Sequence, residues 1–202
     1  MQTVTAQTPT GLERPTFPYP GLRHYTRSDT AIFFGRNAQI SELLDLLQSS
    51  RFIAVVGPSG CGKSSLVRAG LLPRLEAGFD VDAGTAWHLV EMRPGRKPHE
   101  ELANAVLDST LFDFSGDADL TAEQLKSEYA PIVLDQLRSG PLGFVDVLNE
   151  SEIEDHENVL VVVDQFEELF RYSETKLNPE NEPLDELRRE DAFAAPICRW
   201  GE

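Results

Sequence analysis

The sequence is poor in positive charge and in long apolar runs, and each shortage excludes a class of protein. It has 18 Lys and Arg against 34 Asp and Glu, a formal net charge of −16. A bare duplex-DNA binder shows the opposite sign, so we expect no direct nucleic-acid partner. No stretch approaches the roughly 20 apolar residues that span a bilayer, so we expect no membrane partner either.

Cysteine is also scarce. Cys61 and Cys198 are too few for a disulfide scaffold, and neither has a neighbour at metal-ligand spacing. The first residues, MQTVTAQTPTG, lack the apolar segment of a secretory signal. These observations favour a reducing, cytoplasmic location.

The composition changes along the chain and predicts three parts. Residues 1–18 are rich in Thr, Pro and Gln and are predicted to be a disordered lead-in. Residues 19–172 carry the strand and helix patterns of one domain. Residues 173–202 are predicted to be an acidic tail, since residues 150–191 hold fifteen Asp and Glu against four Lys and Arg.

Strand patterns alternate with helix patterns, which is typical of parallel βαβ units. Short apolar strands are predicted over residues 51–56, 87–92 and 158–164. The amphipathic pattern at residues 40–47 predicts a helix, and so do residues 63–72, 98–108, 121–137 and the stretch from 167. Ser28 and Asp29 predict the cap of a short helical turn, and Pro73 predicts an end or kink.

A glycine-rich loop follows the first predicted strand and matches the phosphate-binding pattern G-x-x-x-x-G-K-[ST]. Its backbone N–H groups and the following helix N-terminus favour an anion. Lys63 is expected to reach the β- and γ-phosphates, and Ser64 to bind Mg²⁺. The predicted contacts with ATP or ADP in this loop are Gly57, Pro58, Ser59, Gly60, Cys61, Gly62, Lys63, Ser64 and Ser65.

The third predicted strand ends in Asp164, after five consecutive aliphatic residues. This is the Walker B arrangement, in which the carboxylate lies beside the phosphate loop and holds Mg²⁺. Buried strands often end in Asp, but the position about 100 residues after the loop strengthens the assignment. Ser64 and Asp164 are therefore the predicted metal ligands.

Two glutamates follow directly and are candidates for orienting the attacking water. Glu167 is the first choice for this catalytic role and Glu168 the second, with Lys63 stabilising charge. Gln165 occupies the position where many ATPases place the glutamate, and it could itself position water. For either glutamate the alternative is a negative charge that stabilises the first turn of the next helix.

At these motifs the chain resembles the first subclass of the novel STAND NTPases, which are relatives of AAA+ and NACHT proteins. The residues that carry the resemblance are PYPGL at 18–22, FFGR at 33–36, KSSLVRAGLLP at 63–73, RPG at 93–95 and VVVDQFEELF at 161–170.

The resemblance implies a P-loop NTPase fold, a three-layer α/β sandwich with a parallel sheet. It implies that Phe34, Gly35 and Arg36 lie against the nucleotide, and it supports Glu167 as the water-orienting residue. It also implies a signalling or defence switch that oligomerises and is coupled to sensor and effector domains.

The chain departs from the family pattern after residue 172, where a further strand and a sensor arginine are expected. The sheet is therefore predicted to be incomplete on its C-terminal side, and unaided hydrolysis to be slow or dependent on a partner. Two alternatives stay open. One is a nucleotide-binding interaction module that does not hydrolyse ATP and is completed by another polypeptide. The other is a small-molecule P-loop kinase, which the few basic residues in 109–157 disfavour.

Overall fold

The computed structural model describes residues 21, 23–78, 86–114, 121–151, 153–154 and 157–175, with the backbone alone for residues 172–175. The predicted lead-in at residues 1–18 lies outside these ranges, and so does nearly all of the predicted tail at residues 173–202. The domain boundaries inferred from composition therefore stay predictions.

Several helices begin where local signals predict. Thr121 accepts a hydrogen bond from the Gln124 backbone N–H, and the Gln124 side chain accepts one from the Thr121 N–H, which forms a capping box. Pro98 is the first residue of its helix, where its missing N–H costs nothing. In chain order the helices are a 3₁₀ helix Arg27–Ile32, α1 Asn37–Ser49, α2 Lys63–Ser65, a π-helical segment Leu66–Leu71, α3 Leu72–Glu76, α4 Pro98–Asp108, α5 Ala122–Arg138, α6 Gly143–Glu150 and α7 Glu168–Thr175.

None of the helices in these described ranges combines the length and apolar character that crossing a membrane requires.

Two predicted strands pair in a parallel sheet. These are β1, Trp87–Met92, and β2, Asn158–Val163, in register from Trp87 opposite Asn158 to Met92 opposite Val163. Parallel strands need a long crossover, and α4, α5 and α6 lie in this connection. The described fold is therefore α/β with a small parallel sheet.

Helices cover both faces of this sheet. On β2, the side chains of Val159, Val161 and Val163 contact one hydrophobic cluster, and those of Leu160 and Val162 contact another. The first cluster is built by β1 with α4, α5 and α6, from Val90, Met92, Leu102, Ala103, Val106, Leu107, Leu111, Val133, Leu137 and Val147. The second is built by α1 and the helix after the glycine-rich loop, from Ile40, Leu43, Leu44, Leu71, Leu72 and Leu75.

Residues 51–56 are predicted to form a strand, and this prediction is wrong. They form no strand, and neither β1 nor β2 pairs with them. Ile53 and Val55 do pack on the second cluster, whereas Phe52 is 50% and Val56 86% exposed. An apolar pattern can direct side chains inward, but a strand also needs a partner about 4.8 Å away. Here the segment and β2 line one cavity of about 1690 Å³ instead of sharing a ladder.

Of the two outcomes predicted at Pro73, an end or a kink of the helix after the glycine-rich loop, the structure excludes the end. The helix continues through α3 to Glu76. A π-helical segment comes directly before the proline, and the Leu72 N–H donates to the Val67 carbonyl five residues earlier. Because proline has no N–H, it interrupts the regular ladder, and this wider turn lets the helix pass it.

Candidate functional site

The glycine-rich loop has a backbone that only glycine adopts readily. Gly60 and Gly62 have φ angles of +77° and +92°, in the left-handed region. Gly62 is also the N-cap of α2, so this torsion turns the chain into the helix. A Cβ on Gly57 would lie 2.9 Å from the Cys61 Sγ atom, so a side chain there would force the Cys61 side chain to move.

Lys63 folds back across this loop. Its Nζ atom donates to the Gly57 carbonyl at 2.8 Å and to the Pro58 carbonyl at 3.0 Å. An ammonium group has three N–H donors, so these two contacts leave one for an anionic oxygen. The lysine is thus held at the mouth of the loop and keeps a donor for phosphate.

Ser64 and Asp164 meet although they lie 100 positions apart in the sequence. The Ser64 hydroxyl donates to the Asp164 Oδ1 atom at 2.9 Å. Both residues are half-buried, and both line the cavity. A hydroxyl and a carboxylate are hard oxygen ligands of the kind that Mg²⁺ prefers, so this pair fits a magnesium site.

Ser65 contacts the N-terminal segment in this structure. It is 8% exposed, and its hydroxyl accepts a hydrogen bond from the Tyr25 backbone N–H at 3.0 Å. The Tyr25 ring in turn lies 5.4 Å from the Phe33 ring, centroid to centroid. Ser65 thereby ties the segment before FFGR to the phosphate loop's helix.

A buried aspartate organises the 3₁₀ helix that precedes FFGR. Asp29 is 3% exposed and accepts hydrogen bonds from Arg23 at 2.5 and 2.9 Å and from the Thr26 N–H at 2.8 Å. These bonds, led by those from Arg23, hold the pKa of Asp29 well below its usual range. The N-cap is Thr26 rather than Ser28, and Asp29 is the third residue of a capping box.

FFGR reaches the glycine-rich loop through Arg36. Arg36 approaches the Cys61 carbonyl, with its NH2 atom 3.4 Å from the oxygen. Gly35 turns the chain with a φ of +81°, and Phe34 is 79% exposed. This segment therefore brings a guanidinium to the phosphate loop and carries an exposed aromatic ring two residues earlier.

The two glutamates after Asp164 have different environments. Glu168 is 7% exposed and forms a bidentate ion pair with Arg93, with a shortest contact of 2.5 Å, and the Gly95 N–H donates to it at 3.1 Å. The hydrogen bonds from Arg93 lower the pKa of Glu168, burial opposes them, and the Gly95 bond adds to the lowering. Glu167 is exposed and lines the cavity with Asp164.

Gln165 joins β2 to this pair of glutamates. It has a φ of +59°, and it is the non-glycine residue with positive φ in the described structure. This torsion is uncommon outside glycine, and such torsions cluster at functional sites. Gln165 forms part of a tight turn between Asp164 and α7, since the Glu168 N–H donates to the Gln165 carbonyl.

Sequence reasoning did not identify Arg68 as part of the site. Its NH2 atom lies 3.4 Å from the Asp164 Oδ2 atom, and its Nε atom lies 3.3 Å from Glu91. The available signal was its spacing of four residues from Ser64 on one helix, which places both on one face. Arg93 belongs to the RPG segment, but nothing in the neighbouring sequence indicates its pairing with Glu168.

Comparison with known protein families matches the chain to the model described as Novel STAND NTPase 1, over residues 18–193. No curated protein and no solved structure matches the chain in the corresponding searches. The match covers the phosphate loop, FFGR, RPG and the Asp164 segment together, and it confirms the resemblance drawn from these motifs.

The ion pair of Glu168 predicts a specific acid sensitivity. A carboxyl whose pKa is lowered on folding stabilises the protein above its unfolded pKa, about 4.3 for Glu, and this stabilisation is lost as pH falls through the folded pKa. Glu168→Gln should lower the free energy of unfolding by about 1–3 kcal/mol at neutral pH. The loss of stability below about pH 4.3 should then be shallower, because this titration is gone.

Urea denaturation at a series of pH values measures both effects. Glu167→Gln is the matched control, since Glu167 is exposed, and it should leave the free energy of unfolding at neutral pH close to that of the wild type. An acid profile of Glu168→Gln that superimposes on that of the wild type would show that this ion pair does not contribute. Asp29 remains in both variants, so a residual slope is expected.

Proposed function

The chain belongs to the novel STAND NTPase 1 family, and we propose that it binds ATP or ADP with Mg²⁺ and acts as a nucleotide-dependent switch. The observation that carries this proposal is the 2.9 Å contact of Ser64 with Asp164, beside a loop closed by Lys63. Membership of this family implies nucleotide binding, and the metal, the residue roles and the switch are our proposal.

In this proposal the phosphates bind at the glycine-rich loop. The backbone N–H groups at the start of α2 would face the phosphates, whereas the Cys61 N–H donates to the Pro58 carbonyl within the loop. The remaining donor of Lys63 would reach a phosphate oxygen. We propose that Phe34 and Arg36 contact the base and ribose, because Arg36 lies next to the Cys61 carbonyl and Phe34 precedes Arg36 by two residues with its ring exposed. The fold we propose around this site is the three-layer P-loop sandwich.

Ser64 and Asp164 would hold the magnesium ion. When bound, the ion neutralises charge on the β- and γ-phosphates. The protein's own part is to present the hydroxyl and the carboxylate together, and to exclude other orientations of both. Their hydrogen bond already brings the two oxygens to 2.9 Å, so little rearrangement is needed.

We propose Glu167 as the residue that orients the attacking water. It is exposed on the cavity, whereas both carboxylate oxygens of Glu168 are engaged by Arg93 and one also by Gly95. A carboxylate whose oxygens accept hydrogen bonds from a guanidinium is a weak base. This favours a structural role for Glu168, in keeping with its place in the first turn of α7.

Unaided hydrolysis is proposed to be slow. An arginine at the γ-phosphate contributes about 10³–10⁵ in rate in P-loop enzymes. None of the basic residues after β2 follows an apolar strand pattern, as a sensor arginine would. These residues are Arg171, Lys176, Arg188, Arg189 and Arg199. A second copy of the chain, or sensor and effector domains, would complete the site.

The second candidate is a nucleotide-binding interaction module that does not hydrolyse ATP and is completed by another polypeptide, and the sheet supports that completion. β2 pairs only with β1 among the described strands, although five of its six residues are aliphatic. Such a sequence is typical of a strand inside a sheet, so its other edge is suited to a partner.

Nucleotide binding should appear as a thermal shift. Mg-ATP at about a hundred times its dissociation constant adds about 2.7 kcal/mol of apparent stability. This raises the melting temperature by roughly 5–10 °C for a domain of this size. Lys63→Ala should abolish the shift, because the charge at the loop mouth is lost.

Lys97→Ala is the matched control, since Lys97 is an exposed lysine paired with Glu100 in another part of the fold. It should keep the full shift. A folded wild-type sample that shows no shift with any nucleotide at millimolar concentration would contradict the proposed function.

The variants Glu167→Gln and Glu168→Gln should differ in their rates of ATP turnover. Glu167→Gln should bind Mg-ATP as the wild type does and lose residual phosphate release, because the water-orienting carboxylate is gone. Wild-type turnover itself should be well below about 1 s⁻¹, the lower end of the ordinary enzyme range.

Glu168→Gln, checked for folding, should retain turnover. If it abolishes phosphate release while Glu167→Gln does not, the assignment of the base is wrong. Turnover of 1 s⁻¹ or more by purified monomer would refute the proposed need for a partner.

A further inference from the structure

Arg68 is a hub of charged contacts behind the Ser64–Asp164 pair. Each nitrogen of its guanidinium has its own partner: NH2 lies 3.4 Å from Asp164 Oδ2, Nε lies 3.3 Å from Glu91 Oε2, and NH1 lies 2.8 Å from His24 Nε2. Its side chain is only 24% exposed. A planar fork with several fixed partners has little freedom to move.

Asp164 is consequently held from two sides. Its Oδ1 atom accepts from Ser64 and its Oδ2 atom faces Arg68. The χ2 torsion of an aspartate has a broad distribution, so a carboxylate that has only one contact can rotate. The second contact fixes the plane in which its oxygens point.

Arg68 is itself anchored by further ion pairs. Glu91, on β1, also pairs with Arg27, and Arg27 pairs with Glu76 at the end of α3. Two arginines and three carboxylates thus form one network, and its formal charge sums to −1.

We propose that Arg68 is the positioning residue of the magnesium site. It acts through Asp164, whose carboxylate it holds in the orientation that lets Oδ1 and the Ser64 hydroxyl bind one ion. This inference rests on the proposed binding of nucleotide with Mg²⁺. Residues that orient a metal ligand in this way typically change metal affinity by about 10–100-fold when mutated.

The test is a fluorescent ATP analogue titrated into the full chain, once with Mg²⁺ and once with EDTA. Arg68→Gln should reduce the enhancement of binding by Mg²⁺ by about 10–100-fold and leave affinity in EDTA unchanged. Arg68→Lys should recover part of the enhancement, because an ammonium can pair with Asp164 but cannot serve all three partners. Titrating Mg²⁺ at saturating analogue should give the same ranking.

Arg74→Gln is the matched control. Arg74 lies further along the same helical run and donates a hydrogen bond to Asn37 instead of contacting Asp164. The affinities of Arg74→Gln for the analogue with Mg²⁺ and with EDTA should therefore equal those of the wild type. A melting curve without nucleotide checks that each variant is folded. If Arg68→Gln fails to fold, the measurement is made on Arg68→Lys, for which an unchanged Mg²⁺ enhancement overturns the proposal.

The remaining outcomes are also decisive. Equal losses with Mg²⁺ and with EDTA would mean that Arg68 only supports the fold, and the positioning role would be overturned. Full Mg²⁺ enhancement in folded Arg68→Gln would overturn it as well. Failure of the wild type to bind the analogue in either arm would instead refute the proposed function.

Discussion

The site depends on the hydrogen bond between Ser64 and Asp164. It joins the helix after the glycine-rich loop to the end of β2, across 100 positions of sequence. The hydrophobic clusters make this contact possible, because α1 and the helix containing Leu71 and Leu72 pack on the face of β2 that carries Leu160 and Val162. Packing thus brings the two oxygens together, and the hydrogen bond sets their geometry.

Ion pairing then determines which carboxylates near this hydrogen bond remain available to a ligand. The chain is strongly acidic, yet its buried carboxylates near the site are engaged: Glu168 by Arg93 and Asp29 by Arg23. A pair with a guanidinium lowers the pKa of each and keeps both ionised. Glu167 is left exposed on the cavity, and this difference between neighbouring glutamates supports their different proposed roles.

Sequence patterns predicted the elements whose signals are local. β1 and α4 begin and end where periodicity and Pro98 indicate, and the capping box at Thr121 marks the start of α5. The strand prediction for residues 51–56 was wrong, because a strand requires a pairing partner. Local apolar character cannot show whether such a partner is present. The motifs predicted the Ser64–Asp164 meeting, but not Arg68, because its partners lie 23, 44 and 96 residues away. Ion pairs of this kind depend on the fold rather than on the neighbouring sequence.

A double-mutant cycle on Ser64 and Asp164 tests the central claim most directly. The affinity for Mg-ATP is measured for wild type, Ser64→Ala, Asp164→Asn and the double variant, each shown to be folded. If the two side chains hold one ion together, either substitution alone removes most of the contribution of Mg²⁺ to binding. The losses of binding free energy should then be non-additive by about 0.5–3 kcal/mol. Losses that simply add would contradict the account, because they would show that the two residues act on the nucleotide independently.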